Sequence, residues 1–218
     1  MTHHSLKPVP PPWHLTGRGF VFVYRFSDEF VQSSGWVPAP LQSRFSGGLG
    51  TVMLVDYARS PAGPYQELLF IPGMFSGQDN RTHFSITKIY VSTLESVVSG
   101  WHNWGIPKER ADFQFAKDQV QVHLGQEHIA DFYVKSEGPF LPVSTAPVPP
   151  DMRTLLQMYG RQHILTTLSG NGWVRPARLM AFKGNSELFP DLSHQRPLAG
   201  FEVRSFNLNF PVPQRKVL

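Results

Sequence analysis

Residues 119–134 read QVQVHLGQEHIADFYV. Val120, Val122 and Leu124 alternate with Gln119, Gln121 and His123, the period of a strand with one buried face. Gly125-Gln126 supplies a tight turn, and His128–Val134 returns as a second strand, which makes a β-hairpin. The same pattern extends in both directions. Gly19–Tyr24, GFVFVY, is a continuous apolar run, as expected of a strand buried on both faces. Thr51–Tyr57, Gln66–Ile71 and His83–Val91 read as strands bounded by Gly, Pro or Ser clusters. Asn171-Gly172 predicts a turn ahead of a strand over Trp173–Phe182, and Phe201–Phe210 is the last long strand.

Helix signals are few and short. Ser27 can cap Asp28–Gln32, with acids in the first turn. Ser92-Thr-Leu-Glu95 has the form of a capping box that opens a helix through about His102. Leu94, Val97 and Val98 give that helix an apolar stripe, expected to face inward. A third helix is expected over Met152–Tyr159. The proline-rich Pro139–Pro150 reads as an extended surface loop. Too few strands follow it to close a second core, so residues 1–218 are expected to form a single domain. Many strands at short spacing with a few helices predict a mainly antiparallel barrel or sandwich.

Composition narrows the chemistry. The 218 residues include no cysteine, which excludes disulfides, thiol nucleophiles and thiolate metal sites. Net charge is +4, and the basic residues are scattered rather than gathered into a stripe, so no nucleic-acid partner is expected. No apolar run is long enough to span a bilayer, and MTHHSLKPVPPPWH lacks the apolar core of a signal peptide. A soluble cytoplasmic protein without membrane contact is the expectation. Gly47-Gly48-Leu49-Gly50 lacks the lysine and the strand–helix context of a phosphate loop. The histidines show no i, i+4 pairing and there is no G-x-S-x-G elbow, so no metal site and no serine nucleophile is indicated locally.

One lysine stands apart. In GWHNWGIPKERADF, residues 100–113, Lys108 follows a helix end, Trp101, Trp104, Ile106 and a proline. A lysine after a turn proline is ordinarily a solvated charge, but this neighbourhood is bulky and apolar. Glu67 falls on one strand face with Leu69 and Ile71. An acid on that face suits either a pocket proton donor or a solvated strand start.

These residues carry a resemblance. GWHNWGIPKERADF resembles the G-R-E-x-W-G-x-P-K-K segment of the acetoacetate decarboxylase family, and PYQELLFIP, residues 64–72, resembles that family's Y-x-E strand. VRPARLMAFKGNSELFPDLSHQRPLAG, residues 174–200, is similar to its late G-P-x-R-L strand and following P-L segment, and GRGFVFVYRF to its first strand. The motifs occur in the family's order over most of the chain. The resemblance implies an antiparallel, cone-shaped β-barrel with a few flanking helices, assembled as a homo-oligomer. It implies a lyase that decarboxylates a small β-keto acid such as acetoacetate through a lysine Schiff base, with no metal or organic cofactor. It maps the Schiff-base lysine to Lys108, the pocket glutamate to Glu67 and a substrate-facing arginine to Arg18, and sets Trp101 and Trp104 at the substrate.

The chemistry is coherent on its own terms. A lysine attacks a ketone only as the free amine, whereas an ordinary lysine ammonium keeps its proton to about pH 10.4. Withdrawing the group from water favours the neutral form, and acetoacetate decarboxylase is itself a known case of a lysine activated this way or by a neighbouring cation. Two departures stand against the match. Glu109 replaces the family's second lysine, and Trp101 and His102 replace its Arg and Glu. A carboxylate beside the amine would hold the ammonium form. Neighbours on a strand face opposite ways, so Glu109 is expected to turn from Lys108 towards Arg110 or solvent. Aldol or dehydration chemistry through the same lysine, or a non-catalytic barrel holding an apolar or acidic ligand, are the alternatives.

Overall fold

The computed structural model describes residues 6–217. In chain order, β1 (Trp13–Tyr24) leads to helices α1 (Asp28–Ser34) and α2 (Ala39–Gln42). Strands β2 (Gly50–Arg59), β3 (Tyr65–Ile71), β4 (Met74–Ser76), β5 (Thr82–Phe84) and β6 (Lys88–Val91) follow, then α3 (Leu94–Trp104). β7 (Lys108–Arg110), β8 (Asp112–Phe115), β9 (Gln119–Leu124), β10 (Glu127–Ser136) and β11 (Leu141–Ser144) precede a 3₁₀ turn at Pro150–Arg153. The chain ends with β12 (Thr154–Tyr159), β13 (Gln162–Thr167), β14 (Ser169–Gly184), β15 (Ala199–Phe210) and β16 (Gln214–Val217). Among these residues no helix is long and apolar enough to cross a membrane.

Eleven strands form one curled, nearly closed sheet in the order β7-β6-β3-β2-β1-β15-β14-β10-β9-β8, with β11 attached to β14. A five-stranded sheet, β16-β13-β12-β5-β4, accompanies it. All pairings in the large sheet are antiparallel except β6 with β7. The expected hairpin is β9–β10, with Gly125 in the left-handed conformation at its turn (φ 62°).

The strands nearest the site are buried on both faces. On one face Phe20, Phe22, Val52, Leu54, Leu68 and Phe70 join the core shared with β9 and β10. On the other, Leu15, Val55, Tyr57, Tyr65, Leu69 and Ile71 join a second core with Trp104, Ile106 and Leu155. Alternation along β2 and β3 assigns each side chain to its core. That explains the unbroken apolar runs, since a strand with no solvent face has no polar half.

Four segments differ from the expectation. His83–Val91 is two strands in two sheets, β5 and β6, interrupted at Ser85–Thr87. Residues 154–159 are strand rather than helix, pairing with β13 along their whole length. Asn171-Gly172 lies within the 16-residue β14 and marks a register shift against β15 instead of a turn. Leu141–Ser144, inside the proline-rich stretch, adds to the edge of β14.

Candidate functional site

Lys108 owes its direction to the end of α3. Gly105 takes up the left-handed conformation (φ 64°), and its N–H and that of Ile106 close on the carbonyls of Trp101 and Gly100. This glycine cap stops the helix and turns the chain back. β7 then pairs in parallel with β6, Lys108 opposite Ile89. In that register the Lys108 side chain is buried (6% exposed), and Glu109 and Arg110 are exposed. Trp101 Nε1–H donates to the Lys108 carbonyl at 2.9 Å and ties the strand to the helix. The aliphatic stem of Lys108 runs against Gly100, where a Cβ would lie 2.5 Å from Lys108 Cδ, so a side chain at this crossing would displace the lysine stem.

The buried face of α3 is its small and polar one. Ser96, Ser99, Gly100, Asn103 and Trp104 are inside, whereas Leu94 of the expected apolar stripe is exposed. The reason lies in what the helix packs on. Ser96 receives the Lys108 amine, Ser99 Oγ accepts from Val9 N–H, and Asn103 donates to the Val9 carbonyl. Thr93, rather than Ser92, is the N-cap.

Glu67 sits at the middle of β3 between Val55 of β2 and Val91 of β6. Its carboxylate is buried (5% exposed) and meets Lys108 Nζ at 3.0 Å through Oε2. Tyr57 Oη donates to the other carboxylate oxygen at 3.1 Å. Lys108 Nζ also donates to Ser96 Oγ at 3.0 Å and approaches Tyr65 Oη at 3.5 Å. Burial, reinforced by the Glu67 carboxylate, pushes both tyrosine phenols well above their ordinary range. They therefore remain donors at neutral pH.

Lys108, Glu67, Tyr57 and Tyr65 line an apolar cavity of about 380 Å³. Trp13, Leu15, Leu69, Ile89, Trp104 and Ile106 are among its walls. Ser144, Thr145, Asn171 and Asn207 also line it. Among the described residues no group of three or more His, Asp or Glu converges as a metal site.

Of the residues anticipated from sequence, Lys108, Glu67 and Trp104 meet at this cavity. Arg18 and Trp101 do not. Arg18 lies in β1 beside Asp56, its guanidinium 64% exposed and 3.1 Å from that carboxylate, on the opposite face from Gly19, which lines the cavity. Strand alternation sends Arg18 outward where its neighbour points in. Trp101 is on the outer side of α3, 40% exposed and near Tyr159, and touches Lys108 only through the backbone. Glu109 turns away from Lys108 as expected, but its partner is Lys88 (2.7 Å) and not Arg110. Lys88 is itself buried, with its ammonium 4.0 Å from the Trp36 ring centre. Tyr57, Tyr65 and Ser96 were not anticipated. Tyr65 was legible, since it is two residues before Glu67 on the same strand face. Tyr57 and Ser96 depend on register and helix docking, which sequence spacing does not give.

Comparisons with known proteins agree with this fold. The family model for acetoacetate decarboxylase matches residues 2–156 of the 218. No curated protein matches. Among solved structures, the acetoacetate decarboxylase of Legionella pneumophila aligns with a TM-score of 0.67 at 12% identity, over 99% of this chain and 93% of that one. The enduracididine biosynthesis enzyme MppR aligns with a TM-score of 0.65 at 15% identity, over 99% and 91%. An acetoacetate decarboxylase-like enzyme from Sphingomonas wittichii RW1 gives 0.65 at 12% identity, over 100% and 97%. At such identities the structural likeness speaks to the fold alone, and the family model, which spans most of the sequence, shows that the chain belongs to the acetoacetate decarboxylase family.

Proposed function

We propose that the protein is a lyase that binds a carbonyl substrate as a Schiff base on Lys108 and decarboxylates a β-keto acid. One observation carries this reading. The Lys108 amine is buried against the Glu67 carboxylate in the wall of a cavity large enough for a substrate. A pair so placed can exchange one proton across 3.0 Å. Transfer of a proton to Glu67 gives the neutral amine that adds to a carbonyl.

The free amine adds to the substrate carbonyl to give a carbinolamine. Glu67 returns its proton to the hydroxyl, water leaves, and an iminium remains beside the Glu67 carboxylate. The iminium accepts the electron pair of the bond to the carboxylate carbon. Carbon dioxide departs, the resulting enamine takes a proton at carbon, and water releases the ketone and restores the amine. Tyr57 holds one Glu67 oxygen, so the other stays directed at Lys108. Glu109, paired with Lys88 on the far side of the strand, takes no part.

A second reading shares the iminium. MppR has been solved with pyruvate and with the condensation product of pyruvate and imidazole 4-carboxaldehyde, and an enamine on Lys108 could equally attack an aldehyde. Product analysis separates the two. The decarboxylase reading expects carbon dioxide from β-keto acids, rapid inactivation by borohydride only when substrate is present, and loss of both in Lys108→Ala. A new carbon–carbon bond from pyruvate and an aldehyde, without carbon dioxide release, would select the aldol reading. Ligand binding that is as tight in Lys108→Ala as in the wild type, with neither product, would identify a non-catalytic container.

A further inference from the structure

Resting on the Schiff-base reading of Lys108, we propose that the substrate carries a bulky apolar body, a medium-length alkyl chain or an aryl group, and is not a short keto acid. Three observations point the same way. The first is size. A cavity of about 150 Å³ lined by Leu, Ile and Phe accommodates benzene, and this cavity, at about 380 Å³, is more than twice as large. A short acid such as acetoacetate would leave most of it unfilled, and dry apolar space without contacts forfeits binding.

The second is charge. Among the described residues the only charged side chains lining the cavity are Lys108 and Glu67, and they already satisfy one another. Arg18 is outside, bonded to Asp56. Arg153, in the polar hollow that shares Ser144, Thr145, Asn171 and Asn207 with the cavity, gives its guanidinium to the carbonyls of Val148 and Leu168. A carboxylate-led ligand would thus find no free cation among the described residues, and would face the Glu67 carboxylate at the reactive end. The group a β-keto acid keeps after decarboxylation must then supply the binding energy.

The third is layout. The cavity extends from Glu67 on β3 to Val203 on β15, three strand steps around the curled sheet, or about 14 Å along it at the usual strand spacing. Leu15, Val21, Met53, Val55, Val203 and Leu208 occupy that interval. The carbonyl is held at Lys108, and the apolar body lies along these side chains with its end towards Asn171 and Asn207. In such surroundings each further buried methylene strengthens binding by about fourfold.

The test is a homologous series of methyl ketones, acetone, 2-heptanone and 2-undecanone, with acetoacetate alongside, each trapped on the full chain by borohydride and read by mass at Lys108. The long ketones are expected to reach half-labelling at concentrations at least about 100-fold below acetone and acetoacetate. Val203→Trp, which fills the far end of the cavity, is expected to flatten that gradient. Equal or preferential labelling by acetone or acetoacetate would overturn the assignment. If no ketone labels Lys108, the Schiff-base reading has failed, and tryptophan fluorescence (Trp13 and Trp104 line the wall) then decides the cavity's preference. A saturable change with 2-undecanone that Val203→Trp abolishes upholds the apolar ligand, and no change overturns it.

Discussion

Lys108 and Glu67 sit together in a region from which water is largely excluded, and each neutralises the other. Removing one partner of such a pair leaves a buried charge and costs about 3–5 kcal/mol, whereas replacing both with apolar or neutral groups of similar shape costs much less. Lys108→Met is therefore expected to destabilise strongly in urea unfolding, and the double variant Lys108→Met with Glu67→Gln to recover most of the loss. Equal destabilisation by the single and double variants would mean that the two groups are not paired in solution. Glu109 has the opposite character. It is half-exposed and its charge is spent on Lys88, so Glu109→Gln should leave borohydride trapping at Lys108 unchanged. A marked change in trapping rate would show that the two carboxylates act on one amine.

At the scale of the element, α3 is the part that makes the site. Its glycine crossing, its Ser96 and its left-handed Gly105 cap together aim the β7 lysine. Alanine in place of an interior helical glycine ordinarily stabilises a helix by about 1 kcal/mol. At Gly100 the added Cβ meets the Lys108 stem, so Gly100→Ala is expected to abolish trapping while circular dichroism shows the fold retained. Trapping at the wild-type rate would mean that the lysine has room to move. The helix and its approximate limits were legible because caps are local, and Lys108 stood out by its apolar neighbours and the family motif around it. Val97 packs on the core as expected, but Leu94 is exposed, because the helix buries mainly serine, glycine and asparagine against a lysine stem and the N-terminal segment. Sequence reading placed Arg18 in the pocket because a motif match fixes a residue's position along a strand, and a shift of one residue reverses its face.

For the molecule as a whole, the antiparallel sheet was legible from the β9–β10 hairpin and the two-faced runs of β1 and β3. The second sheet was not, because β4, β5 and β16 are three or four residues long, and β5 and β16 join strands distant in sequence. That sheet contains His163, buried on β13. Burial and then the positive charge of Arg44 hold its imidazole below the ordinary value of 6.5. The unfolded chain therefore takes up a proton that the folded one resists. Stability is complete above about pH 6.5 and falls as the pH drops through that value. A fall in melting temperature from about pH 7 to pH 5 that is shallower in His163→Gln would match this sign. An identical slope in the variant would remove His163 as a cause.

The central claim concerns one amine. Borohydride reduction of the full-length protein with a β-keto acid or ketone, followed by peptide mass mapping, tests it most directly. The account predicts a single substrate-dependent adduct on the peptide that contains Lys108, absent in Lys108→Ala. No adduct across the series, or an adduct on Lys88 or another lysine instead, would contradict it.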